Sequence, residues 1–517
     1  MPIRTGSVEY TDSADRTAPT GAADAGKQQR SGRLRRRTAG AVALVSALAL
    51  VAPGAVAHGA QPDPRGSRGG GTALDGVWRS DGYQEYLTVR RGELRSYEVS
   101  AAGCLPGGLR LSADRTGNDG AVPFHNAEGV RELSIRTVGG AADRARLSPA
   151  GAVGERRLGR VSSLPADCAH PPAGSPLHTF DVFWSTLHEN YPFFRDRGVD
   201  WNATRAKYRP QVHPRITDDR LFALLAAMIE PLHDLHTQLR DATGKRGTLN
   251  LRPGTPEVSP ESVAAIERAT RAQLPATVRS FANGRVQYAD LEQRRGVGYL
   301  RITGFLKYGS DGEENADADA AVLDRALDTV FTPSRVRALR GLVVDLRFNG
   351  GGSDALGIAL ARRLTDRTYT AYTKSARNDP YDEGSWTRGQ PVRVRPAEGA
   401  RYTGSLAVLT GPLTVSAGET FTQALMSRSP APLRIGEPTQ GVFSDTMDRA
   451  LPNGWTLTLP NEKYADRSGR TYDGCGIPPT HHEPVYALQD LHRLRDPALK
   501  RALRELDARQ PHGPARP

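Results

Sequence analysis

Apolar side chains recur along this chain in two periods, and the change from one to the other divides it. From about Leu74 to Ala169, short alternating segments such as Tyr86-Leu87-Thr88-Val89 and Glu132-Leu133-Ser134-Ile135 sit between glycine-rich turns, the two-residue period of half-buried strands. The pattern predicts a small β domain over 74–170. Past Pro172-Ala173-Gly174 the spacing lengthens. Phe180, Val182, Phe183, Leu187 and Tyr191, then Leu221, Leu224, Leu225, Met228 and Ile229, fall on helix faces and predict a helical subdomain over 176–245. Residues 246–295 are mixed, with a helix-like stretch around Ser262 to Gln273, and read as a connecting region. From Gly296 the two periods alternate: strands at Val297–Ile302, Gly341–Leu346 and Ser405–Leu409, helices at Ala320–Val330, Ala355–Leu364 and Ala417–Met426. Alternation of this kind predicts a layered α/β core with a mainly parallel sheet over 296–490, and leaves 491–517 as a C-terminal tail.

One apolar run belongs to none of these. Arg33, Arg35, Arg36 and Arg37 precede a continuous run from Ala39 to Val51, followed by the small-residue triplet Ala55-Val56-Ala57, which is the order of an export signal. The run falls short of the roughly 20 residues a membrane-spanning helix needs, so cleavage after Ala57 is expected and no stable membrane anchor thereafter. Residues 58–73 have the Gly, Pro and Arg content of a disordered linker. The net charge of +12 includes eight basic and four acidic side chains within 1–57, so the mature chain would carry +8. Its arginines are scattered, without the clustered stripe of a nucleic-acid surface. Export places the three cysteines in an oxidising compartment. Cys104 and Cys168 are the expected pair, and Cys475 is expected as a buried apolar filler.

The candidate chemistry lies at two strand ends. Thr414-Val415-Ser416-Ala417-Gly418-Glu419 follows a strand and turn and precedes a helix, so Ser416 is expected at a helix N-terminus where free N–H groups and the helix dipole favour an oxyanion. A plain N-cap serine is the alternative. The strand Leu342 to Arg347 runs into Phe348-Asn349-Gly350-Gly351-Gly352, a turn whose backbone a substrate can approach. His233 and His236 lack a matched third ligand, which disfavours zinc, and His481-His482-Glu483 reads as an exposed loop.

The runs Asp345-Leu346-Arg347-Phe348-Asn349-Gly350-Gly351-Gly352, Thr414 to Glu419, Ile435-Gly436-Glu437-Pro438-Thr439-Gln440-Gly441, and Tyr472-Asp473-Gly474-Cys475-Gly476-Ile477-Pro478-Pro479 resemble, in order, the core motifs of the C-terminal processing (tail-specific) serine peptidases. Leu232-His233-Asp234-Leu235-His236-Thr237 resembles the family's upstream helical end. One branch of the family uses a Ser/Lys dyad with the lysine just after the Thr-x-Gly turn; here that position is Val442, and no lysine lies between Ser416 and Lys463. The tricorn-core-like branch instead takes a histidine from the Asp-x-His segment and a carboxylate before the Gly-Ile-Pro run. His236 and Asp473 stand at those positions, Asp473 being one methylene shorter than that branch's glutamate, and Leu235 stands where it has a second serine.

The resemblance implies a layered crotonase/Clp-protease-like α/β core with an upstream helical subdomain, to which this chain adds the N-terminal small β domain. It implies Ser416 as nucleophile, His236 as general base, Asp473 as the orienting acid, and the N–H groups of Gly351 and Ala417 as the oxyanion hole. A polypeptide substrate and no metal or organic cofactor are expected. Two alternatives share this scaffold: a carrier of hydrophobic ligands, and an esterase or amidase. No PDZ domain is recognisable between Arg240 and Gly296.

Overall fold

A computed structural model of the protein describes residues 73–509 apart from 293, 310 and 311; the segment expected as an export signal and nearly all of the expected linker fall outside the described residues. The alternating N-terminal segments form eight antiparallel strands, β1 (Gly76–Ser80), β2 (Glu85–Arg90), β3 (Glu93–Ser100), β4 (Gly103–Ala113), β5 (Val122–His125), β6 (Arg131–Val138), β7 (Ala141–Pro149) and β8 (Arg156–Val161). They pair in chain order, and β8 returns to β1, so the sheet closes into a barrel without edges. Alternate residues fill it: Trp78, Leu87, Val89, Leu111, Phe124, Ile135, Leu147 and Leu158 are buried together. A disulfide joins Cys104 on β4 to Cys168, 64 residues away in the turn that follows the barrel.

Three helices follow, α1 (Pro176–Asn190), α2 (Trp201–Tyr208) and α3 (Asp218–Ile229). Ser175, Asp200 and Thr217 cap them, each side chain accepting a backbone N–H of the first turn. The apolar face of α1 (Phe180, Phe183, Leu187) packs with Leu221, Leu225 and Met228 of α3 and with Leu457 and Leu459 from the chain's C-terminal third. The helical region is thereby tied to the core, and the short strand Gln238–Arg240 pairs with Thr456–Pro460.

The core is a seven-stranded sheet in the order Arg279–Phe281, Val286–Asp290, Val297–Ile302, Gly341–Asp345, Ser405–Thr410, Leu433–Gly436, His481–His482. From Val297 onward the pairing is parallel. Three boundaries differ from the sequence reading. The first two strands lie in the expected connecting region, where Val286 and Tyr288 alternate inward. His481 and His482, expected in a loop, form the far edge strand. The expected tail holds a helix, Pro497–Ala508, whose Ala498, Leu499, Ala502 and Leu506 recur at helical spacing and are buried against Val343, Ala407 and Leu409. Asp496 caps that helix through the Leu499 N–H and also pairs with the buried Arg347, which in turn bonds Asp345. Leu506→Ala is therefore expected to destabilise the core by about 2–5 kcal/mol, the usual cost of a buried leucine, as read by denaturant unfolding; a tail outside the core would tolerate the change within about 0.5 kcal/mol.

Candidate active site

The strands Gly341–Asp345 and Ser405–Thr410 leave the parallel sheet side by side and pair a second time, Phe348 opposite Leu413 and Asn349 opposite Thr414. This two-residue ladder delivers the glycine turn and the serine segment to one place. The Val415 N–H donates to the Asn349 carbonyl at 2.9 Å. A Cβ on Gly351, whose φ is +89°, would lie 2.7 Å from Ser416 Cβ and 3.3 Å from its Oγ, so only glycine fits there. Ser416 itself has φ 52° and ψ −118°, a conformation that L residues rarely adopt and that costs about 1–3 kcal/mol. It is half-buried and opens the helix Ala417–Met426, the sharp strand-to-helix turn that presents a nucleophile at a helix N-terminus.

Glu419, in the first turn of that helix, is fully buried. Its carboxyl accepts the N–H groups of Ser416 (3.1 Å), Gly441 (2.6 Å) and Val442 (2.9 Å). Burial pushes its pKa up to about 8 against the opposing effect of Thr439 and of the Gly441 and Val442 N–H groups. Sequence reasoning assigned it no role, although a glutamate three residues after a helix-opening serine is a recognisable capping pattern.

His236 lies beyond α3, in a turn ahead of the strand Gln238–Arg240, not at a helix end. Its chain neighbour Leu235 is buried in one cluster with Val415 and Val442, so the histidine turn and the serine turn meet. Val442, at the position the dyad branch gives to lysine, is the apolar wedge between them. The Asp234 carboxylate holds the histidine turn: it accepts the His236 N–H at 2.9 Å and the Tyr191 hydroxyl at 2.9 Å, and pairs with Arg197 at 3.4 Å. The imidazole faces the Ser444 backbone, and its buried Nδ1 has no hydrogen-bond partner among the described residues. Burial lowers its pKa, opposed by Asp234 and Asp445 and assisted by Arg197, so the ring is neutral at neutral pH.

Two of the expected residues are arranged otherwise. Asp473 makes no hydrogen bond or ion pair to His236 among the described residues. Its carboxyl accepts the Phe443 N–H at 3.3 Å and the Thr471 hydroxyl, and burial raises its pKa to about 7. The shorter aspartate is held by Thr471 of its own loop and by the Phe443 backbone, 30 residues away. The Gly351 N–H donates to Asn349 Oδ1 at 3.0 Å, the i to i+2 bond that asparagine habitually makes in a turn, and is spent there. The N–H groups of Ala417 and Gly352 have no acceptor among the described residues. Cys475, expected to be buried, is exposed and free, because Gly476 packs on the Thr439 backbone and leaves the cysteine on the outer face of the turn.

Among the described residues no group of three or more His, Cys, Asp or Glu side chains is placed to hold a metal ion, and no helix is long and apolar enough to cross a membrane. A cavity lined by Tyr83, Arg156, Lys374, Asp445 and Glu462 and another lined by Arg347, Tyr486 and Asp490 each have room for about 10 Å³, the space of one water.

Comparison with known proteins places these features in context. Residues 296–482 match the family model described as Peptidase family S41, and residues 173–230 match the tricorn protease C1 domain. Over 190 residues the chain is 30% identical to the carboxyl-terminal-processing peptidase 2, chloroplastic, of Arabidopsis thaliana, a span of 36% of this chain and 32% of that protein. The chain thus spans about a third of the length of the curated relative it matches. A solved structure of a candidate peptidase from Parabacteroides merdae ATCC 43184 shares the fold, with a TM-score of 0.55 at 22% identity over 65% of this chain and 99% of that one.

Glu419→Gln removes a two-oxygen acceptor and turns an NH2 toward backbone N–H donors. It is expected to destabilise the protein by about 1–3 kcal/mol, measured by chemical denaturation at pH 7; an unchanged midpoint would show that the three N–H groups find other acceptors.

Proposed function

We propose that this chain, whose residues 296–482 belong to peptidase family S41, is an exported serine peptidase that cleaves peptide bonds through an acyl-enzyme on Ser416. The observation that carries the reading is the convergence of three turns. A strained serine at a helix N-terminus has the glycine turn against its Cβ and the histidine turn packed beside it through Leu235, Val415 and Val442.

In this reaction Ser416 Oγ attacks the scissile carbonyl carbon while His236 takes the hydroxyl proton. The developing oxyanion is met by the Ala417 N–H and the positive end of the helix Ala417–Met426, with the Gly352 N–H as the open donor of the glycine turn. The imidazolium then protonates the leaving amine, and water, deprotonated by the same ring, releases the acyl group. We assign the electrostatic support of the imidazolium to Asp234 and Asp445, the carboxylates that act on His236, and not to Asp473. Export is supported by the N-terminal basic, apolar and small-residue order and by the disulfide.

Ser416→Ala is expected to keep its melting curve and lose all labelling by a fluorophosphonate; labelling that persists would remove Ser416 from the mechanism. Because only the neutral imidazole accepts a proton and burial lowers its pKa, the labelling rate should be flat above pH 7 and reach half its plateau below the ordinary imidazole value of about 6.5. Asp473→Asn is expected to change that rate by less than about tenfold, whereas loss of a true triad aspartate costs about 10⁴-fold. Amino-terminal sequencing of the secreted protein should begin at His58.

A further inference from the structure

The barrel touches the core at two places that lead straight to the site. In the loop between β7 and β8, the Gly151 carbonyl accepts both the Ser353 hydroxyl (2.6 Å) and the Ala355 N–H (3.1 Å). It thereby fixes the start of the helix Asp354–Arg362, which begins directly after the glycine turn. Two residues on, the Val153 carbonyl accepts Lys374 Nζ at 3.1 Å. Lys374 is buried and pairs with Asp445 and Glu462, and Asp445 follows Ser444, whose backbone faces the His236 ring. The barrel closes this charge cluster with Tyr83, which donates to Glu462, and with Arg156 beside Glu85. Gln390 pins the loop, its amide accepting the Glu155 N–H (2.8 Å) and donating to the Glu155 carbonyl (2.7 Å).

We propose that the barrel is a positioning element of the peptidase site, its β7–β8 loop holding the glycine turn through Gly151 and, through Lys374, the Ser444–Asp445 segment that faces His236. This rests on the peptidase reading above. A lysine sunk among carboxylates at a domain contact is costly to bury, and here it reaches the Val153 carbonyl of the barrel loop, Asp445 next to Ser444, and Glu462, which Tyr83 of the barrel also bonds. Asp445 is thereby kept in place with its charge largely answered. The charged groups acting on His236 are Asp234, Asp445 and Arg197, and Lys374 sets the weight of the second.

The test is the fluorophosphonate labelling rate of the full chain as a function of pH, with melting curves alongside. Lys374→Met leaves Asp445 unanswered and should move the acid limb to higher pH by about half a unit to one unit, while Lys374→Arg should return it. Gln390→Ala frees the loop and removes no charged group, although Gln390 lines the same cavity as Lys374, Asp445 and Glu462; it should lower the plateau about tenfold, the effect of two lost backbone bonds, and move the limb by less than Lys374→Met does. Should Lys374→Met fail to fold, Gln390→Ala decides alone. Wild-type rates and wild-type profiles in the folded variants would overturn the proposal. An unlabelled wild type, or a labelled Ser416→Ala, would overturn the peptidase reading instead.

Discussion

The site depends on a ladder two residues long. Parallel strands of an α/β sheet end together at one edge, which is where such folds assemble their sites, but chains leaving adjacent strands ordinarily diverge. Here Phe348–Asn349 and Leu413–Thr414 pair once more beyond the sheet, and Asn349 secures the joint with three bonds: its carbonyl accepts Val415, its amide donates to Ile302, and its Oδ1 accepts Gly351. Nothing longer would serve, since the next residues must turn sharply in opposite roles, one as bare backbone and the other as a side chain.

The same joint carries the strain at Ser416. A residue forced to φ 52° relaxes unless its flanks are fixed, and these flanks are fixed twice, by the ladder before it and by Glu419 after it. The buried carboxyl of Glu419 binds the serine's own N–H and reaches two N–H groups of the Gly441–Val442 segment. It therefore links the Ser416 turn to the loop that supplies Val442, and Val442 to the histidine turn. Serine, histidine and glycine turns form one hydrogen-bonded and apolar unit, which explains why none of them needs a long regular element of its own.

Much of the fold was legible because burial imposes a period. The barrel strands, α1, α3, the three central strands and the helix after Ser416 all show the spacing that their buried faces require. What escaped has a physical reason in each case. The strand His481–His482 is too short and polar to carry a pattern. The helix Pro497–Ala508 hides a narrow apolar stripe among Lys500, Arg501, Arg504, Glu505 and Asp507. At the site, the resemblance pointed to Ser416, His236 and the glycine turn, which the fold brings to neighbouring turns, and the Asn349 turn bond could have been read from Asn-x-Gly. The partners of Asp473 and Lys374 could not, because they are set by tertiary contacts with residues far apart in the chain.

The charge layout explains why this site suits an imidazole and not an ammonium. A lysine in place of Val442, which is 1% exposed, would have to give up its hydration among Leu235, Val415 and Leu251, and the one carboxyl the described residues place against it, Glu419, is already engaged by three backbone N–H groups. Arg197 acts on the same region from the histidine side and Arg252 acts on Glu419 from the other, so a third cation would be opposed from both directions. A neutral ring meets none of these penalties at rest. When it takes a proton, Asp234 and Asp445 are already in place, one bonded to its backbone and the other held by Lys374. In the proposed mechanism the base is therefore uncharged at rest and supported only when the charge appears, which is the order that proton abstraction from Ser416 would require.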